Sequence, residues 1–124
     1  MKIIGRTTWA IPGGRIPLNS TGPEPDFTSN EELCILNAGY QDAKVEITVF
    51  YESRDPVGPY RITVPAKRTR HVRFNDLIAP EAMPLDTDYA CIVDSDVAIV
   101  VQFNRRDTSR AENALMGVMA FPVD

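Results

Sequence analysis

The side chains of this chain with the greatest chemical reach are a single histidine, His71, two cysteines, Cys34 and Cys91, and a cationic run, Lys67-Arg68-Thr69-Arg70-His71-Val72-Arg73. One histidine leaves Ser–His–Asp chemistry with one candidate base, and no Ser or Cys partner for it is apparent in strand register. Both cysteines sit inside apolar segments, Leu33-Cys34-Ile35-Leu36 and Ala90-Cys91-Ile92-Val93. That is the setting of small buried hydrophobes in a reducing cytoplasm. Two cysteines and one histidine are too few for a metal centre or a disulfide framework, so no metal and no other cofactor is expected. No spacing of carboxylates recommends a pair for general acid–base work or glycoside hydrolysis. These residues offer binding, and an enzyme is not expected.

The cationic run has three readings. On a strand, Lys67, Thr69, His71 and Arg73 share one face, and Arg68 and Arg70 share the other with Val72 and Phe74. The plainest reading is a solvated strand paired with acids of a neighbour such as Glu46 and Glu52. The second is an anion held by Arg73 with Arg70, since guanidinium forks match carboxylates and phosphates. The third is DNA contact through Arg68, Arg70 and Arg73. It lacks the interleaved aromatics of a single-strand platform, and the net charge of −4 opposes generic polyanion binding.

Trp9, the sole tryptophan, is either a core plug or a stacking platform at a pocket rim. The polar, proline-stiffened stretch Asn19–Phe27 is a connection or a functional loop. Asn37, Asn75, Gln102, Asn104 and Arg105 close strands, either as turn caps or as convergent donors for a small polar ligand.

The elements that must position these groups are strands. The 124 residues are one domain's worth, read as a single domain over 1–124, with 44% hydrophobic and 24% charged residues. Scattered turn residues divide the chain into segments near Ile3–Ile11, Glu32–Asn37, Lys44–Glu52, Tyr60–Val64, Arg68–Phe74, Tyr89–Asp94, Val97–Asn104 and Ala114–Phe121. Short helical turns fit Asn75–Ala79 and Ser109–Asn113. About eight strands without a long helix predict an all-β protein, an antiparallel β-sandwich of jelly-roll type. Met1–Thr8 holds no signal-peptide core, and no apolar run approaches a membrane helix. A cytoplasmic protein is expected.

Alternation assigns the faces. Val45, Ile47, Val49 and Tyr51 point one way, with Glu46 and Thr48 opposite and Phe50 an apolar exception. Val97–Phe103 and Leu115–Phe121 are apolar on both faces, more than one buried face needs. That excess covers either a second layer inside the domain or a subunit contact. The subunit contact is favoured, because Phe50 also points outward and large exposed apolar patches are rare on monomers.

The chain also resembles the soluble sensory rhodopsin transducer family, over almost its whole length. Matching stretches include Gly5-Arg6-Thr7, Trp9-Ala10-Ile11, Gly22-Pro23-Glu24-Pro25, Cys34-Ile35-Leu36-Asn37-Ala38-Gly39 and Pro56-Val57-Gly58-Pro59-Tyr60-Arg61. They continue through His71-Val72-Arg73-Phe74-Asn75-Asp76-Leu77, Ile99-Val100-Val101-Gln102 and Ala111-Glu112-Asn113-Ala114-Leu115. The resemblance implies a bacterial β-sandwich that assembles as a homotetramer, binds the cytoplasmic face of a membrane rhodopsin and relays its state. It also implies a module for a small polar ligand, a sugar or an anionic metabolite. By transfer, the ligand-facing positions are Trp9, Glu24, Asn37, Arg73, Asn75, Gln102, Arg105 and Asn113. Gly13–Leu18 and Met116–Asp124 depart most from the family pattern.

Overall fold

Alternating apolar residues and short turns produce eight strands in the computed structural model, which describes residues 2–18, 20, 29–109 and 114–124. These are β1 (Arg6–Gly14), β2 (Asn30–Asn37), β3 (Ala43–Tyr51), β4 (Val57–Val64), β5 (Arg68–Arg73), β6 (Tyr89–Asp107), β7 (Ala114–Met119) and β8 (Phe121–Pro122). Among the described residues there is one 3-10 turn, Phe74–Asp76, which starts one residue before the expected turn Asn75–Ala79 and overlaps it only at Asn75 and Asp76. All pairings are antiparallel, and the all-β expectation holds. No helix among the described residues is long and apolar enough to cross a membrane.

One strand organises the rest. The first part of β6 pairs with β3 and β1, and its last part with β2 and β7, so the orders β4-β3-β6-β1-β8 and β5-β2-β6-β7 meet in a single strand. Two separate strands, Tyr89–Asp94 and Val97–Asn104, were expected here. Ser95-Asp96 contains neither Gly nor Pro, and it does not break the strand. Instead Asp96 accepts the Lys44 amide at 2.8 Å, and the Ser95 hydroxyl accepts the Val97 amide at 3.3 Å. The polar dipeptide is a hydrogen-bonding station along a continuous strand.

Three other boundaries move for similar reasons. β1 continues through Pro12-Gly13-Gly14 by a register shift between Ile11 and Gly14. A Cβ at Gly14 would lie 2.5 Å from the Tyr89 ring, so glycine lets that ring cross the strand. β4 begins at Val57, and Gly58-Pro59 lies inside it. β4 is an edge strand, where a missing donor does no harm. The last predicted strand divides at Ala120, whose amide bonds to the Val101 carbonyl at 3.1 Å.

The faces follow the alternation. Val45, Ile47 and Val49 are buried, Glu46 and Phe50 are exposed, and Val72 and Phe74 point inward. One core collects Leu33 and Ile35 from β2, the β3 residues, and Cys91, Val93, Ile99, Val101 and Phe103 from β6. The two-sided apolar segments part company. In β6, Val97 and Val100 pack partly buried against that core. In β7 every residue is exposed, with Leu115 at 70% and Phe121 beyond it at 67%.

The final residues are clipped to β1 by Asp124, whose side chain accepts the Thr7 hydroxyl, the Thr7 amide at 3.1 Å and the Thr8 amide at 2.9 Å. The Thr7 hydroxyl and then the Thr8 amide hold its carboxyl down at about 2. A carboxyl lowered on folding stabilises above its unfolded value, here 3.8, and loses that contribution as pH falls through about 2. The Thr7 and Thr8 amide resonances should therefore titrate with a midpoint of about 2. A midpoint near the unfolded value would show that the clip does not form.

Candidate functional site

The inner face of β2 carries Glu31, Leu33, Ile35 and Asn37, all buried. A carboxylate on an apolar face must find donors, and Glu31 finds several. Its register partner on β6 is Arg105, whose Nε donates to Oε2 at 2.6 Å. The Arg15 amide donates to both oxygens at 2.9 and 3.1 Å, and the Tyr89 hydroxyl donates to Oε1 at 2.5 Å. Arg105 is tied a second time, through Nη2 to the Arg15 carbonyl at 2.7 Å. Burial, with the Glu31 carboxylate beside it, pushes the Tyr89 phenol far above its ordinary range. Burial, again with Glu31 adding, pushes the Cys91 thiol up to about 12. Cys91 is a buried core residue, as expected from sequence.

The outer face of the same strands is a polar plate whose rows are set by register. One row runs Arg73, Glu32, Asn104, Gly117 across β5, β2, β6 and β7. The next runs His71, Cys34, Gln102, Met119. Gln102 Nε2 donates to Asn104 Oδ1 at 2.7 Å, and Asn104 Nδ2 reaches Glu32 Oε1 at 3.3 Å and Cys34 Sγ at 3.2 Å. A Cβ at Gly117 would stand 2.7 Å from Asn104 Oδ1, so glycine leaves room for the amides to lie across β7. An open groove of about 490 Å³ lies over these rows, lined by Arg73, Arg105, Arg106, Gln102, Asn104 and Glu32 among others, with Leu115 and Met116 at its apolar edge. Three guanidinium groups face one carboxylate among its lining residues.

Of the residues the resemblance nominated, Arg73, Gln102 and Arg105 meet in this groove. Asn75 stands behind it, accepting the Glu31 amide at 3.4 Å and donating to the Ser29 carbonyl at 3.1 Å. Asn37 is at the other end of β2, donating to the Gln41 and Val64 carbonyls and accepting the Gly39 amide. Trp9 is buried in the core, its indole N–H shared between the Arg6 and Ile99 carbonyls at 3.0 Å each. Neither Asn37 nor Trp9 joins the groove. Glu24 and Asn113 lie outside the described residues, as do most of Asn19–Phe27 and Arg110–Asn113 of the second predicted helical turn.

Three sequence expectations are corrected. Cys34, read as a small buried hydrophobe like Cys91, is only partly buried, because its place in the alternation of β2 puts it on the outer face beside Asn104. Glu46 pairs with Arg61 of β4 at 3.1 Å and not with the cationic run, because β4 is its neighbour strand. His71 does have a cysteine in register: Cys34 lies directly opposite it on β2. The Cys34 thiol is raised by burial and by Glu32, the reverse of an activated nucleophile. Sequence reasoning missed Glu31 and Glu32. The available signal was alternation, which puts Glu31 on the face of Leu33 and Ile35, where a carboxylate needs an explanation.

Comparison with known proteins accounts for this architecture. The family model described as Anabaena sensory rhodopsin transducer matches residues 4–122. The chain is similar to the solved structure of the Anabaena sensory rhodopsin transducer, with 58% identity, a TM-score of 0.78, and coverage of 90% of this chain and 96% of that one. It is also similar to Thermotoga maritima 1070, with 28% identity, a TM-score of 0.88, and coverage of 98% and 97%. No curated protein matches it in sequence. With the family model spanning both halves of the β6-centred sheet, the chain belongs to the Anabaena sensory rhodopsin transducer family.

Proposed function

We propose that this protein is a non-enzymatic signalling module that takes a small anionic ligand in the groove of β2, β6 and β7 and relays the state of a membrane rhodopsin from its cytoplasmic side. The observation that carries the ligand reading is the plate of Arg73, Arg105, Gln102 and Asn104, brought together by register, with Arg105, Gln102 and Asn104 also held by hydrogen bonds. Its volume of about 490 Å³ falls within the range of small-molecule sites. Fixed guanidinium groups favour carboxylates and phosphates over neutral sugars. Family membership supports the rhodopsin partner.

Assembly is part of the same reading. The exposed apolar side chains of Leu115 and Met116 edge the groove, those of Val118 and Met119 follow them along β7, and a homotetramer would cover all four. Ligand and partner would then act on one surface. A monomeric mass by light scattering at micromolar concentration removes assembly from the proposal.

DNA contact through Arg68, Arg70 and Arg73 draws less support. Arg68 and Arg70 are exposed on β5, while Arg73 faces the groove from the other side of that strand. The three do not share one surface.

Calorimetric titration with inorganic phosphate, di- and tricarboxylates and neutral sugars tests the ligand reading. The expected result is saturable binding of one anion class, weakened about tenfold or more by Arg73→Ala and less by Gln102→Ala. Absence of saturable anion binding, or binding indifferent to Arg73→Ala, overturns it. Sedimentation with rhodopsin-containing vesicles tests the partner separately.

A further inference from the structure

We infer that Glu32, Cys34 and His71 form a site for a single zinc-like divalent cation on the outer face of β2 and β5. Glu32 and Cys34 are two residues apart on one strand and so share its outer face. His71 is the register partner of Cys34 on β5. One ligand atom from each of the three lies within 4.8 Å of the others. The sequence had ruled out a metal by counting only cysteines and the histidine. Cys91 is in the core and contributes nothing, whereas the carboxylate of Glu32 supplies the third donor.

The donor set decides the metal. A thiolate, an imidazole and a carboxylate together suit Zn²⁺, and hard cations such as Mg²⁺ or Ca²⁺ prefer oxygen alone. Donors around tetrahedral zinc stand about 3.3–3.7 Å apart, from bond lengths of about 2.0–2.3 Å. Closing the three from their present spacing requires about 1 Å of side-chain movement, and exposed His71 is free to swing. Three protein ligands leave one position for water. Binding converts the Cys34 thiol to a thiolate, its proton leaving to solvent.

The surroundings are those of a supported site. Asn104 Nδ2 contacts both Glu32 Oε1 at 3.3 Å and Cys34 Sγ at 3.2 Å, and Gln102 holds Asn104 in turn. Partners of this kind orient metal ligands and tune affinity. Asn104 is a positioning residue and not itself counted as a ligand. Glu32 and Asn104 also line the anion groove, so a cation here would add positive charge at its edge. The metal site nonetheless stands on its own residues, and its test uses no anion.

The test uses tag-free protein, Co²⁺ as a spectroscopic probe and Zn²⁺ as competitor. The expected result is a thiolate-to-cobalt charge-transfer band saturating at one equivalent per chain and abolished by excess Zn²⁺. Cys34→Ser removes the band, His71→Ala weakens binding by at least tenfold, and Cys91→Ala leaves both unchanged. Asn104→Ala weakens binding about 10- to 100-fold while the band keeps its position. His71 is exposed, so His71→Ala keeps the fold, which circular dichroism verifies. No charge-transfer band in the folded wild-type protein overturns the site. So does a band that His71→Ala leaves at full affinity, since that is adventitious binding to a thiol.

Discussion

Arg105→Ala is expected to lower folding stability by about 3 kcal/mol, measured by urea denaturation at neutral pH. That is the low end of what breaking a buried ion pair costs. The reason is the carboxylate left behind. Glu31 is fully buried and Arg105 keeps 32% of its side chain exposed. Removing the arginine leaves Glu31 with the Arg15 amide and the Tyr89 hydroxyl, hydrogen-bond donors without a full charge. It also releases the Arg15 carbonyl that Arg105 Nη2 holds.

The partner variant separates charge from shape. Glu31→Gln keeps the volume but replaces one acceptor oxygen with a donor amide. In either orientation that amide faces the Arg15 amide, with donor-only Arg105 beside it in one and Tyr89, whose hydroxyl can turn to accept, in the other. Destabilisation smaller than that of Arg105→Ala is therefore expected. Combining it with Arg105→Met removes both charges, and the double variant should be less damaged than the sum of the singles. A sum that is simply additive would mean that Arg105 and Glu31 touch without depending on each other. Arg105→Ala must therefore not be used alone to map the groove. Arg73 and Gln102 are the variants that report on ligand.

What the sequence disclosed and what it withheld divides along physical lines. Alternation in Val45–Tyr51 specified a half-buried strand without any knowledge of neighbours, because period 2 is local. Cys91 inside Ala90–Val93 was legible for the same reason. Pairing was not local. Nothing in the residues of β2 and β5 announces that Cys34 and His71 face each other, because register depends on where Pro65–Lys67 turns the chain. The continuity of β6 was hidden because Ser95-Asp96 looks like a turn, and the hydrogen bond from Lys44 to Asp96 appears only once β3 is alongside. Trp9 shows the limit from the other side. Its type allowed a pocket platform or a plug, and only the carbonyls of Arg6 and Ile99 decide where its N–H goes.

Phe74→Ala should cost about 3–5 kcal/mol, the range for emptying a fully buried aromatic site. Phe74 has no exposed surface, and its ring packs against Tyr89 at 5.2 Å and Phe103 at 6.2 Å. Those partners belong to opposite ends of β6, so this one ring ties the two halves of the sheet where the groove begins. Its chain neighbours are Arg73, which lines the groove, and Asn75, which holds the Glu31 amide. Phe74→Leu refills part of the cavity and should recover part of the loss. The sharper test is coupling. Phe74 touches Tyr89, and Tyr89 donates to Glu31, so a cavity under the ring loosens the same carboxylate that Arg105 neutralises. Phe74→Ala and Arg105→Ala should then combine with an interaction energy of about 1 kcal/mol or more, of either sign. Additivity within about 0.5 kcal/mol would show instead that the aromatic floor and the ion pair are independent supports.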